Sequence, residues 1–295
     1  MNEEQRNVMS SGRGFIAALD QSGGSSPKAL KLYGIPEDAY DTDEKMFDLI
    51  HEMRARLIAS PSFTDDQLLA TILFEQTMDR EINGEQTAAF LWKQKHIVPF
   101  VKVDQGLSDV DEGVQLMKPM TKLGSLLERA VGKGIFGTKM RSFIQEPNEA
   151  GIRAIVEQQF DYAHTIAERG LMPIIEPEVS IKSPDKAKAD GLLVAALSSK
   201  LDELPAERQV MLKLTLPTED DLYTPLIEHP RVLRVVALSG GYGLAESCEI
   251  LARNHGLIAS FSRALTEGLT AEQSDAEFDG KLKSNIDEIY AASVT

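Results

Sequence analysis

Eight short apolar or β-branched runs, each followed by a stretch with helical spacing, constrain this chain more than any other feature of it. The runs are Gly14–Asp20, Leu68–Glu75, Ile97–Val103, Phe136–Arg141, Leu171–Glu178, Gln209–Leu216, Leu233–Ser239 and Leu257–Arg263. Ser26-Pro27 reads as the N-cap and first position of one intervening helix, closed by Gly34 with Pro36 beyond it. Asn148 caps another, in which Ile152, Ile155, Val156, Ala163 and Ile166 recur at helical spacing up to Gly170. Helices are also expected over residues 187–204 and 244–254, with a last one over about 270–293. Strands that alternate with helices form a parallel sheet. Eight units in a chain of 295 residues predict α/β architecture of the closed (β/α)8 TIM-barrel type, as a single domain over residues 1–295. A doubly wound sheet is the alternative. Against it, the turn Asp20-Gln21-Ser22-Gly23-Gly24 lacks GxGxxG spacing, and no GxxxxGK[ST] occurs.

The runs end in charged or small polar residues: Asp20, Glu75, Lys102, Lys139 with Arg141, Glu176 with Glu178, Lys213, Ser239 and Arg263. Side chains alternate between the faces of a strand. In the sixth run Val210, Leu212, Leu214 and Leu216 suit the helix-facing side, which turns Met211, Lys213 and Thr215 toward the barrel axis. In the fifth, Glu176 and Glu178 share one face, with Ile175 opposite. Residues at the C-terminal ends of barrel strands form the active-site mouth. The plain reading is that each charge merely caps its strand toward water. That reading weakens when most of eight strands end the same way, because gathered charges in a partly dry cavity are expensive unless they pair or act.

A lysine amine among other cations and apolar walls is expected to have a lowered pKa, so that neutral amine can attack a ketone. The resulting iminium stabilises a neighbouring carbanion, and a C–C bond can then break without a metal. Such chemistry needs a proton shuttle, for which Glu176 or Asp20 is suited. Ser239-Gly240-Gly241 after the seventh run and Arg263 at the end of the eighth occupy the places where barrels frequently hold phosphate. Glycines let backbone N–H groups approach an anion, and the following helix N-terminus is expected to add its dipole.

Other chemistries fit poorly. The net charge of −15 argues against nucleic acid and anionic membranes as general partners. No apolar run approaches the roughly 18 residues of a membrane span. The start Met1-Asn-Glu-Glu-Gln-Arg is unlike a signal peptide, and the single cysteine, Cys248, forms no internal disulfide, so a reducing cytoplasm is expected. Cys248 itself reads as a small buried apolar residue. His51, His96, His164, His229 and His255 fall at no strand's C-terminal end and form no HxH or HxxxH pair, so neither a metal site nor any other cofactor is expected.

The ordered set Ala17-Ala-Leu-Asp20, Ser22-Gly-Gly-Ser25, Phe100-Val-Lys-Val-Asp-Gln-Gly106, Gly137-Thr-Lys-Met-Arg141, Ile174-Ile-Glu-Pro-Glu178, the Leu-Lys-Leu around Lys213, Leu238-Ser-Gly-Gly241 and Ser260-Phe-Ser-Arg263 resembles the motifs of class I fructose-bisphosphate aldolases. Leu73-Phe-Glu75 matches more weakly. The resemblance runs from about residue 14 to 265, and the chain's length is more like the compact bacterial enzymes than the animal ones. It implies a metal-independent lyase that cleaves fructose 1,6-bisphosphate to dihydroxyacetone phosphate and glyceraldehyde 3-phosphate. By the same resemblance Lys213 would be the Schiff-base nucleophile, Glu176 the general acid/base and Glu178 a support for the lysine environment. Asp20 and Lys139 would handle protonation near the cleaved bond. Lys102, Arg141, Ser25, Ser239, Gly240, Gly241 and Arg263 would bind substrate and its phosphates, with Arg56 a further candidate for the second phosphate; a solvated helix face is the other reading of Arg56.

The chain departs from the animal enzymes in two places. It ends in Ala-Ser-Val-Thr295, without their long tail and its terminal tyrosine, and it has Ser-Phe-Ser-Arg263 where they have a tyrosine and glycine before the arginine. Other readings are a different Schiff-base sugar-phosphate aldolase or transaldolase, and a non-catalytic sugar-phosphate-binding barrel. Homo-oligomers are frequent among such enzymes.

Overall fold

A computed structural model describes residues 2–295. Eight parallel strands close on themselves: β1 (Phe15–Leu19), β2 (Leu68–Leu73), β3 (Val98–Lys102), β4 (Gly137–Ile144), β5 (Met172–Val179), β6 (Val210–Thr215), β7 (Val232–Leu238) and β8 (Ile258–Phe261). Each pairs with the next, and β8 returns to β1 through Ile16↔Ser260 and Ala17↔Phe261. The expected barrel is therefore the observed one.

The helices are α1 (Glu3–Ser11), α2 (Ser26–Leu32), α3 (Asp43–Ala59), α4 (Glu75–Met78), α5 (Thr87–Lys95), α6 (Leu123–Gly132), α7 (Glu149–Glu168), α8 (Lys186–Asp202), α9 (Thr224–Ile227), α10 (Leu244–Ala252) and α11 (Asp275–Ser293). Asn148 caps α7 by accepting from the Gly151 amide at 3.0 Å. Two boundaries differ from the sequence reading. The cap of α2 is Ser25 rather than Ser26. Helix α11 starts at Asp275, where Ser274 and Glu277 form a reciprocal capping box.

Alternation along the strands sorts the core into two layers. Ile16, Ala70, Phe100, Ile174, Met211, Val236 and Ile258 fill the barrel, while Leu212, Leu214, Ile175 and their like face the helices. The register read for β5 and β6 thus places Met211 inside, as expected from the sequence. Gly137 lets β4 lie close to its neighbours. A Cβ there would stand 2.2 Å from the Met172 carbonyl oxygen and 2.6 Å from the Phe100 ring.

The lower end of the barrel is plugged by α1, whose Met9 joins the inner core. Arg234 at the base of β7 holds α1 by donating to the Met9 carbonyl at 3.0 Å and the Gly12 carbonyl at 2.9 Å. The upper end stays open. There α11 fixes the loop after β8, with Asn285 donating to the Leu265 carbonyl at 2.9 Å and the Glu267 carbonyl at 2.8 Å.

Strand lengths decide where the charged ends point. Strand β2 stops at Leu73, so Glu75 opens α4 instead of ending a strand, and it pairs with Arg129. Strand β8 stops at Phe261, two residues before Arg263, which therefore sits on a loop. Strand β4 runs on to Ile144 because the short antiparallel segment Val114–Gln115 pairs with its far end.

Candidate active site

At the open end lies a cleft of about 860 Å³ lined by Asp20, Ser25, Lys102, Lys139, Arg141, Glu176, Glu178, Lys213, Ser239, Gly240 and Arg263. Strands β1, β3, β4, β5 and β6 deliver the charges, and the loops after β7 and β8 deliver the rest.

The deepest part is a chain of four buried charges. Lys139 Nζ lies 2.5 Å from Asp20 Oδ2 and 2.8 Å from Glu176 Oε2. Lys213 Nζ lies 3.2 Å from Glu176 Oε1. Each oxygen of Glu176 therefore faces a different ammonium. The approach to Oε2 is off the hydrogen-bonding direction, which makes that contact an ion pair only. Two cations and two anions balance, so four side chains with exposures of 3–8% can share a nearly dry site without a net buried charge. Burial alone would push the Asp20 carboxyl up, but the ammoniums of Lys139, Lys213 and Lys102 outweigh it and hold Asp20 well below the ordinary carboxylate range. Burial likewise pulls on the Lys139 ammonium, and Asp20, Glu176 and Asp104 more than reverse that, so its pKa stands above the ordinary lysine value. Glu176 is oriented through its backbone: its amide donates to Gln159 Oε1 at 2.9 Å, and Gln159 is itself held by Ser142 at 3.0 Å.

A second cationic region borders this chain. Lys102 Nζ is 2.7 Å from Asp104 Oδ1 and donates to the Asp104 carbonyl at 3.1 Å. Arg141 donates to Glu178 through Nε and stacks 5.0 Å from the Phe143 ring centroid. Glu178 therefore has Arg141 as its ion-pair partner and makes none with Lys213.

The third region is the loop Ser239–Gly241 with Arg263. Gly240 and Gly241 have φ of 63° and 128°, values that suit glycine. Arg263 is exposed and makes no ion pair among the described residues. Gly241 does not line the cleft; a Cβ on it would stand 3.5 Å from Arg263 Nη2. The expected contribution of the α10 N-terminus is also corrected. The Leu244 amide already donates to Glu267 Oε2 at 3.1 Å, so a carboxylate of the chain occupies that end. Ser25 reaches the cleft but exchanges hydrogen bonds with Ser22, donating to its carbonyl at 2.9 Å and accepting from its amide at 3.0 Å.

Arg56 is not in the cleft. It donates to the Gln273 carbonyl at 2.6 Å, lies 3.1 Å from Asp275 Oδ1 and stacks 4.3 Å from the Phe278 centroid, so it clamps the segment before α11. The arginine that turns inward from α3 is Arg54, fully buried, which the sequence did not single out. Asp104, Gln21, Ser260, Ser262 and Lys122 also belong to the cleft region without having been singled out. Asp104 had a visible signal, a carboxylate two residues after Lys102. Ser260 and Ser262 had another, polar residues alternating at the end of the eighth run. Cys248 is buried, and burial with nearby Glu288 pushes its thiol up to about 12, which suits the inert packing role. Among the described residues no group of three or more His, Cys, Asp or Glu side chains is placed to hold a metal ion, and no helix is long and apolar enough to cross a membrane.

Comparison with known proteins agrees with this geometry. A family model described as fructose-bisphosphate aldolase class-I matches residues 1–198. The chain is 60% identical to the fructose-bisphosphate aldolase class 1 of Synechocystis sp., covering 100% of this chain and 98% of the relative. It is 57% identical to the enzyme of the same description from Clostridium acetobutylicum and 56% identical to that from Porphyromonas gingivalis, each over the full length of both chains. A crystal structure of fructose-bisphosphate aldolase from Plasmodium falciparum, in complex with TRAP and a small-molecule inhibitor, superimposes with a TM-score of 0.78 at 20% identity, covering 98% of this chain and 94% of that one. That likeness is one of fold. With charges from five strands converging on one cleft and near-full-length relatives at more than half identity, the chain belongs to the class I fructose-bisphosphate aldolases.

Proposed function

We propose that the chain cleaves fructose 1,6-bisphosphate reversibly to dihydroxyacetone phosphate and glyceraldehyde 3-phosphate, with Lys213 as the amine that forms the Schiff base. The observation that carries this reading is the buried Lys213 Nζ, 3.2 Å from Glu176 Oε1 at the floor of the cleft. Lys213 first gives a proton to Glu176, its neutral nitrogen attacks the C2 carbonyl of the ketose, and Glu176 passes protons from nitrogen to the carbinolamine oxygen, which leaves as water. The iminium then draws the C3–C4 bonding pair toward nitrogen. Asp20, held ionised beside Lys139, accepts the C4 hydroxyl proton as that bond breaks and the aldehyde departs. Reprotonation at C3 and hydrolysis of the imine release the second product and restore the free amine.

Two cationic regions flank the lysine. Ser239, Gly240 and Arg263 on one side, and Lys102 with Arg141 on the other, support a substrate that carries a phosphate at each end. Ser25 and Gly241 serve the first of these as wall and backbone. Charge-assisted contacts are each worth about 1.5–3 kcal/mol, so fructose 1,6-bisphosphate should exceed fructose 1-phosphate in kcat/KM by about 10–100-fold. Lys213→Met should abolish turnover of both substrates. Equal kcat/KM for the two would remove the bisphosphate assignment, and a Lys213→Met variant that still turns over would remove the Schiff base from this residue. The same reading treats the 295 residues as one catalytic domain and places it in the cytoplasm, in keeping with a single buried, unpaired cysteine.

A further inference from the structure

Arg54 is 0% exposed yet has no carboxylate partner among the described residues. A buried guanidinium without a counter-ion is expensive and needs its donors satisfied. Two of them are. Nη1 donates to Thr77 Oγ1 on α4 at 2.8 Å. Nη2 donates to the Gln21 carbonyl at 2.5 Å and lies 3.4 Å from Gln21 Oε1. Nε has no partner. Burial pulls the guanidinium pKa down, and the Asp20 carboxylate opposes that pull, so the charge of Arg54 is felt at the reacting end of β1.

The connection continues across the cleft. The side-chain amide of Gln21 donates through Nε2 to Ser262 Oγ. Gln21 directly follows Asp20, and Ser262 directly precedes Arg263. The loops after β1 and β8 are thus tied together at the residues adjoining a proton-handling carboxylate and a phosphate-anchoring guanidinium. The tie is itself anchored in α3 by Arg54, while Arg56, two residues on, clamps the chain before α11 from the opposite side of the same helix.

We propose that Arg54, Gln21 and Ser262 form a positioning relay that sets the spacing between Asp20 and Arg263, so that phosphate anchoring and C4 hydroxyl deprotonation act on one bound substrate. The proposal rests on the roles given above to Asp20, Arg263 and Lys213. None of the three relay residues exchanges a proton or an electron with substrate; each acts by holding another. Displacing a reacting group by about 1 Å costs on the order of 100-fold in rate, and members of one hydrogen-bonded network are strongly non-additive.

The test is a double-mutant cycle of Gln21→Ala and Ser262→Ala in the full chain, read by kcat/KM on fructose 1,6-bisphosphate and by melting temperature. Borohydride trapping of saturating dihydroxyacetone phosphate at Lys213 serves as the control for the catalytic amine. Each single variant should lose about tenfold or more in kcat/KM, the double should lose no more than the worse single, and trapping should stay at the wild-type level. Ser262→Thr, which keeps the hydroxyl, should recover most of the Ser262→Ala loss. Unchanged kcat/KM in both single variants, losses that simply multiply, or no rescue by threonine would each overturn the relay. Arg54→Met should reproduce the Gln21→Ala loss; should it fail to fold, the Gln21–Ser262 cycle still decides. A wild-type chain that fails to trap at Lys213 would instead overturn the catalytic reading, and the relay with it.

Discussion

Replacing Lys139 by methionine isolates what the buried charge chain contributes. Lys139 is the only cation within ion-pairing distance of Asp20 among the described residues, and it also lies 2.8 Å from Glu176. Methionine keeps most of the stem volume and deletes the charge, which leaves Asp20 buried and unpaired. Removing one partner of a buried pair costs about 3–5 kcal/mol. Lys213 remains on Glu176 and offsets part of this, so a loss of about 3 kcal/mol is expected, or a fall in Tm of roughly 5–10 °C for a chain of this size.

The pH dependence has a definite sign. In the wild type Asp20 titrates below the ordinary aspartate value of 3.8, so its stabilisation is present above that pH and is lost as pH falls through the lower folded value. Lys139 titrates above 10.5, so its stabilisation is complete below that pH and is lost as pH rises through the higher folded value. The pair therefore stabilises the fold fully from about pH 4 to 10. In the variant burial, the largest influence on Asp20, is opposed only by Lys213 and Lys102, and the carboxyl pKa rises. The variant's deficit should thus be largest near pH 7 and shrink toward pH 4.5, where Asp20 becomes protonated and neutral. Calorimetric scans of both proteins between pH 4.5 and 8 measure this directly, and kcat should fall about 100-fold or more in the variant. An unchanged Tm at pH 7, or a deficit equal at pH 4.5 and 7, would refute the reasoning.

Arg263→Ala should raise KM for phosphorylated substrates by about tenfold or more with kcat less affected; an unchanged KM would take Arg263 out of the phosphate site. Arg56→Ala removes the clamp on Gln273, Asp275 and Phe278, so it should cost about 1–2 kcal/mol of stability while KM for the bisphosphate stays within about twofold; a KM rise without loss of Tm would restore Arg56 to substrate binding. Dialysis against EDTA should leave activity intact, and loss restored by zinc would show a metal-dependent reaction.

The barrel and its charged mouth were legible in the sequence because both follow from period. Strand alternation alone placed Met211 inside and, with it, Lys213 and Glu176 on the axis side. What period does not carry is pairing. Nothing in the sequence tells that Glu178 turns to Arg141, or that Lys139 stands between Asp20 and Glu176, because those contacts depend on strand stagger, Arg141 lying level with Glu176 and Lys139 with Ile174. Arg54 and Arg56 show the limit most clearly. Two residues on a helix differ by about 200° in direction, so only one of them can face the barrel, and a helix with arginines on both sides does not announce which. Helix α10 teaches the same lesson at a distance. Its N-terminus reads as an anion site until Glu267, 23 residues on from Leu244, is found capping it.

Schiff-base chemistry here depends on one nitrogen at the floor of the cleft, Lys213 Nζ. Incubation with dihydroxyacetone phosphate and borohydride, followed by digestion and peptide mass analysis, tests it most directly. A stable adduct confined to Lys213 and absent from Lys213→Met is the predicted result. An adduct on Lys139 or Lys102, or none at all, would contradict it.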